Sequence, residues 1–266
     1  MRYVSTRGAA PVLGFSDVVL AGLANDGGLY VPETWPALPS NLGSTYPELA
    51  AGVFAPYVGD DIAAETMLRL CREAYATFRH PDVVPIVDLE PGHHLMELFH
   101  GPTLAFKDVA LQLLGRLFDH ILTERQQKVT IVGATSGDTG SAAIDGVKDC
   151  ANINIVILYP EGRVSEVQRR QMTTVNSPNV RTVAIDGTFD DCQDLVKAMF
   201  NHAEFREAQN LSAVNSINWA RVMAQVVYYI EATRRLGGPI DVTVPTGNFG
   251  NVLSGWIAKQ MGAPLR

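Results

Sequence analysis

From Asp82 onward, short runs of strand composition alternate with stretches of helical period, and this alternation limits the fold more than any other feature of the chain. The runs are VVPIV, HLMELF, VTIVGA, INIVILY, VRTVAI and IDVTV, beginning at Val83, His94, Val129, Ile153, Val180 and Ile240. Helical patterns follow most of them, over 109–122, 141–147, 165–173, 193–205, 218–235 and 251–261. Strands joined through helices pair in parallel, because the crossover returns the chain to the same end of the sheet. The runs around Val129, Ile153 and Val242 are nearly all apolar, which predicts central strands covered on both faces. Residues 81–266 are therefore expected to form an α/β region.

Residues 1–80 lack this alternation. Over 60–78 the apolar positions Ile62, Met67, Leu70 and Ala74 recur at helical spacing, with Asp60 or Asp61 placed to cap the start. Between the helical patterns, 25–36 reads NDGGLYVPETWP, a turn-rich structured loop. The expectation is a helical N-terminal domain over 1–80.

Composition enters through what it excludes. With 266 residues, 47% of them hydrophobic, the chain can bury a core without disulfides or metals. A formal net charge of −7 and the lack of a basic block argue against nucleic acid as a partner. No apolar run approaches the ~20 residues that span a bilayer, so no membrane partner is expected. Cys71, Cys150 and Cys192 are too scattered for a disulfide framework or a zinc site, and a reducing, cytoplasmic setting fits them. His80, His93 and His94 have no metal-ligand partners at useful spacing.

Three segments can carry chemistry. The turn Ala134-Thr135-Ser136-Gly137-Asp138-Thr139-Gly140 lies between an apolar strand and a helix. Unpaired N–H groups at such a helix start, joined by the hydroxyls of Thr135, Ser136 and Thr139, can hold a carboxylate or phosphate. A tight turn capped by Asp138 or Thr139 explains the same residues. Pro245-Thr246-Gly247-Asn248-Phe249-Gly250-Asn251 is a second turn of this kind, after IDVTV. Neither matches GxxxxGK[ST] or GxGxxG, and GATSG lacks the GxSxG spacing of a hydrolase elbow.

The third segment, His100-Gly101-Pro102-Thr103-Leu104-Ala105-Phe106-Lys107-Asp108, leads into a helical pattern. Most lysines are solvated, and the start of a helix is a mildly unfavourable place for a cation. The preceding Leu104, Ala105 and Phe106 favour partial burial of Lys107, and a desolvated lysine can form a Schiff base with a carbonyl. His100 reads as an acid/base group or, more simply, as a turn residue. Two anion cradles and one lysine in apolar company suit a phosphorylated aldehyde, pyridoxal 5'-phosphate, with the second cradle left for the anionic end of an amino-acid substrate.

In these residues the chain resembles the threonine synthase family, pyridoxal-phosphate enzymes sharing the tryptophan synthase β fold. HGPTLAFKD, ATSGDTG, ILYPEGRVSEVQ, VAIDGTFDDCQ, NSIN and PTGNFGN occur in the family's order, and STRG and DGGLYVPE look like its N-terminal signatures. The resemblance implies an α/β, fold-type II architecture with open, mostly parallel sheets behind the helical N-terminal domain.

It also implies roles. Lys107 would carry the Schiff base and shuttle protons at substrate carbons; Gly247, Asn248, Phe249, Gly250 and Asn251 would hold the cofactor phosphate. Thr135, Ser136, Gly137 and Thr139 would face the substrate carboxylate and cofactor ring, and Asp138, where sister enzymes often carry Asn, the cofactor hydroxyl. Asn215 and Ser216, in the segment that ends at Asn218, would line the substrate site, though local chemistry supports only helix capping. The implied reaction converts O-phospho-L-homoserine and water to L-threonine and phosphate, in threonine biosynthesis.

The family's chains continue well beyond a position matching Arg266, so the resemblance implies a C-terminally incomplete region lacking the pyridine-nitrogen partner. Two other readings remain at this level: a threonine or serine dehydratase sharing the lysine and cradles, and an inactive relative serving as a binding protein. Arg163, Arg169, Arg170 and Lys259 are phosphate candidates by charge alone.

Overall fold

The computed structural model describes residues 1–212, 218–245 and 249–266. In chain order its elements are β1 (Tyr3–Ser5), α1 (Phe15–Ala21), β2 (Tyr30–Pro32), α2 (Tyr46–Val58), a single 3-10 turn (Gly59–Asp61), α3 (Ala64–Tyr75), β3 (Ile86–Glu90), β4 (His93–Met96) and α4 (Asp108–Glu124). There follow β5 (Val129–Ala134), α5 (Asp138–Val147), β6 (Ile153–Pro160), α6 (Glu166–Thr173), β7 (Val180–Ile185), α7 (Phe189–Asn201), α8 (Ala203–Ala208), β8 (Leu211–Ser212), α9 (Trp219–Leu236) and α10 (Gly250–Gln260). These assemble into two compact units, residues 1–113 with 216–266 and residues 114–215, the division falling within α4.

The second unit carries the parallel sheet. Its strand order is β7-β6-β5-β8, with Val129 through Ala134 in register with Ile153 through Leu158, and Ile155 through Pro160 with Val180 through Ile185. The strand β6 has six of its eight residues buried, as its apolar sequence requires of a central strand. One cluster joins Val132 and Leu158 to Cys192 of α7, with Val196, Met199 and Phe200 packed against it. Where α4 passes α5, a side chain on Gly115 would meet the Gly146 carbonyl oxygen at 2.0 Å, so the two backbones touch there.

The first unit is mainly helical. Here α2 packs on α3, and α9 lies against α2 and α10. Every residue from Trp219 to Thr233 of α9 is buried, so its polar groups need partners inside. Glu231, fully buried, takes Arg234 at 2.7 Å and Arg235 at 2.5 Å, and Arg235 reaches on to Asp82 at 2.9 Å. Asn218 caps α9 through the Ala220 N–H at 2.9 Å and donates to the Val19 carbonyl at 2.8 Å. The motifs STRG and DGGL meet at Asp26, whose carboxylate accepts from Ser5 Oγ and from the N–H groups of Ala9, Ala10 and Gly28.

Three expectations are corrected. The helical pattern over 60–78 is divided: Ala63, not Asp60 or Asp61, occupies the cap of α3, while Asp61 accepts the Ser16 N–H at 2.8 Å and so caps α1. The helix expected over 193–205 begins at Phe189 and breaks at His202. Thr188 and Asp191 form a reciprocal capping box at its start, and His202 Nδ1 restarts the chain as α8 by accepting the Phe205 N–H. Among the described residues the run IDVTV makes no ladder: Ile240 forms one bridge, to Leu265, and Val242 is exposed. Strand composition yields a strand only where a neighbouring strand supplies its hydrogen bonds.

Candidate functional site

In the first unit, Lys107 is the last residue before α4, its carbonyl accepting the N–H groups of Leu111 at 2.9 Å and Ala110 at 3.2 Å. The next residue, Asp108, is fully buried and turns its carboxylate back onto the loop, taking the Thr103 N–H at 2.8 Å and the Thr103 hydroxyl at 2.7 Å. That clamp needs space at Gly101, where a Cβ would fall 2.4 Å from Asp108 Cβ. It also holds Leu104 in the left-handed region, at φ +65°. The result is a tight arch ending at Lys107, which is half-buried with Nζ 4.8 Å from the centre of the Phe106 ring.

The same unit contains α10, whose cap is Phe249 at φ +56° and whose first residues are Gly250 and Asn251. The first turns of α4, α5, α6 and α7 carry an acidic residue; that of α10 carries none. The N–H groups of its first turn and its positive dipole end therefore face no carboxylate of their own turn. Among the described residues, a Cβ on Gly250 would meet nothing within 4 Å. Asn251 Oδ1 accepts from Tyr228 and Tyr229 of α9. Gly247 and Asn248 lie outside the described residues, as do Asn215 and Ser216.

In the second unit, β5 ends at Ala134 and the chain turns directly into α5. Thr135, buried, spends its hydroxyl on this turn by accepting the N–H groups of Gly137 at 3.0 Å and Gly140 at 2.9 Å. It does the capping that Asp138 or Thr139 was expected to do. Gly137 sits at φ +145° with a Cβ position 2.4 Å from the Gln168 side chain, so only glycine fits. Asp138 accepts from Gln168 Nε2, and Ser136 is exposed. This turn lies beyond the carboxyl end of a parallel strand, where ligands of open α/β sheets bind.

Of the charge-only candidates, Arg169 and Arg170 both bond Glu166 at 2.7 Å, and these pairs hold its carboxyl down at about 2. His100 Nε2 lies 2.7 Å from Glu97 Oε2 and stacks on Phe99. Sequence reasoning passed over Tyr228 and Tyr229; the available signal was two adjacent hydroxyl-bearing rings inside an apolar helical run.

The first unit holds a lysine at the head of one helix and an acid-free helix start, and the second a glycine turn after a parallel strand, features of the kind that pyridoxal-phosphate enzymes use. Residues 90–265 match the family described as pyridoxal-phosphate dependent enzyme, to which the chain belongs. Within it the similarity is to the threonine synthases: residues 2–75 match the family described as threonine synthase N terminus. Threonine synthase of Pseudomonas aeruginosa is 54% identical over 100% of this chain and 58% of its own length. The pyridoxal-phosphate-bound threonine synthase structure from Brucella melitensis superposes with a TM-score of 0.96 at 55% identity, over 100% of this chain and 59% of that one. The yeast threonine synthase structure gives 0.93 at 42% identity, over 99% and 56%. The chain thus spans under three fifths of the length of each of these relatives.

Proposed function

We propose that the chain carries the Lys107 and phosphate-binding parts of a threonine synthase, acting on O-phospho-L-homoserine and water to give L-threonine and phosphate. The observation that carries this reading is the likeness running through residues 2–75 as well as the cofactor region. A diaminopropionate ammonia-lyase structure superposes at 0.53 and 15% identity, a likeness of fold alone.

The residues fit the cofactor. A primary amine at the Lys107 arch suits an aldehyde, and an acid-free helix start suits a phosphate. Phe249, Gly250 and Asn251, with Gly247 and Asn248, would hold that phosphate. When bound, pyridoxal phosphate supplies an electron sink that makes protons at Cα and Cβ of the amino acid removable.

This chain's residues do the rest. Lys107 Nζ anchors the cofactor, then takes and returns the protons at Cα and Cβ. Its arch, tied by Asp108 to Thr103, limits where the amine can go, and proton transfer by a group so positioned is worth ~10²–10⁴ in rate. Thr135 shapes the α5 start, where Gly137, Ser136 and Thr139 would meet the substrate carboxylate, with Asp138 toward the cofactor hydroxyl. Asn215 and Ser216 keep the substrate-lining role that the resemblance implies. No helix among the described residues is long and apolar enough to cross a membrane, and a cytoplasmic location agrees with this.

The test compares phosphate release from O-phospho-L-homoserine with ammonia release from threonine and serine. Phosphate release lost in Lys107→Ala, together with its visible cofactor band, is the expected outcome. Ammonia release without phosphate release replaces the reading by a dehydratase, and a band with neither product reduces it to cofactor binding.

A further inference from the structure

The start of α10 contains one side chain whose orientation is fixed from behind. Asn251 Oδ1 lies 2.5 Å from Tyr228 Oη and 2.8 Å from Tyr229 Oη, consecutive residues of α9 whose ring centres are 5.0 Å apart. Both phenols are buried, at 3% and 4% exposure, and burial raises the pKa of each, that of Tyr229 to about 12. At neutral pH both therefore carry a proton to donate. A carboxamide oxygen has two lone pairs, and these two hydroxyls occupy both. The reversed amide would orphan the buried Tyr229 proton and leave Tyr228 only Gln225 Oε1, at 3.4 Å. The close approach of the helices is built in, since a Cβ on Gly255 of α10 would stand 3.0 Å from the Tyr229 ring.

We propose that Tyr228 and Tyr229 are positioning residues for the cofactor phosphate: by consuming the oxygen of Asn251 they leave only its N–H donors for an anion at the start of α10. An unclamped asparagine could turn its oxygen outward and repel the phosphate; a clamped one cannot. The inference rests on the reading that this helix start holds the phosphate.

The two ideas separate in one experiment, which measures dissociation constants for pyridoxal phosphate and for pyridoxal, which lacks the phosphate, by visible absorption. The proteins are the unaltered chain, Tyr228→Phe, Tyr229→Phe, the double variant and the isosteric Asn251→Asp. The unaltered chain should prefer the phosphorylated form strongly. The double variant should lose about tenfold of that preference with pyridoxal binding unchanged, the size of one hydrogen bond to a charged group. Asn251→Asp, which sets a carboxylate between the phenols and the anion, should lose more. If the double variant does not fold, as judged by thermal unfolding without cofactor, each single variant should lose about threefold. An unaltered chain that binds both forms equally ends the phosphate reading, and the proposal with it. A preference that survives removal of the hydroxyls, or an equal loss for both ligands, overturns the proposal alone.

Discussion

The arch that presents Lys107 can be tested through the Thr103–Asp108 clamp by a double-mutant cycle. Asp108 is fully buried and takes two hydrogen bonds from Thr103, both to a charged acceptor. Such bonds contribute about 1.5–3 kcal/mol each, so Asp108→Ala should cost ~3–6 kcal/mol, with the Thr103 N–H left buried. Thr103→Val removes only the hydroxyl bond and should cost ~1.5–3 kcal/mol. In the double variant the hydroxyl bond is lost once, so the two costs should fall short of additivity by that same ~1.5–3 kcal/mol. The assay is urea unfolding followed by tryptophan fluorescence. Trp35, Trp219 and Trp256 all belong to the unit that contains the clamp, so the signal reports that unit. Costs additive to within about 0.5 kcal/mol would show the two residues to be uncoupled and would refute the reasoning.

Other expectations follow from single contacts. Gly115→Ala should destabilise the second unit by about 1–3 kcal/mol although alanine is the better helix former, because its Cβ collides with the Gly146 carbonyl. Thermal unfolding followed by far-ultraviolet circular dichroism reads this, and an unchanged or raised midpoint would contradict the contact. Glu48 has its carboxyl held down to about 2, chiefly by the Thr45 and Ser44 N–H groups that it caps. A depressed carboxylate stabilises the fold above its unfolded value near 4.5 and loses that contribution as pH falls toward 2. Glu48→Gln should therefore be the less stable protein at pH 7, with the gap closing between pH 4.5 and 2; a pH-independent gap contradicts the assignment.

The parallel sheet was legible because VTIVGA and INIVILY are apolar on both faces, a pattern with few other uses. Lys107 was legible as the head of a helix because Phe106 and the apolar period after Asp108 bracket it. What stayed hidden depends on partners distant in sequence. Asp61 looked like a cap for its own helix and caps α1 instead, a choice decided by the fold around Ser16. IDVTV has strand composition, but composition does not say which strand lies alongside. The break at His202 turns on one imidazole accepting the Phe205 N–H, and a helical period reads straight through it. The inward bond of Thr135 was equally hidden, since a hydroxyl in a glycine turn can face either the ligand or the turn itself.

The first unit is made of two stretches of chain, 1–113 and 216–266, while the second is one uninterrupted stretch. On the ribosome this sets an order. Residues 114–215 form one unbroken stretch and can begin to assemble as they emerge, since domains fold as units during synthesis. The N-terminal helices must wait, because α9, which α2 packs against, is made only after the whole second unit. Until then the face of α2 that meets α9 stays uncovered by it, while α2 and α3 can already pack on each other. The return of α9 to a partner made long before is thus a closure across about a hundred residues, whose entropy is repaid only when the two stretches meet.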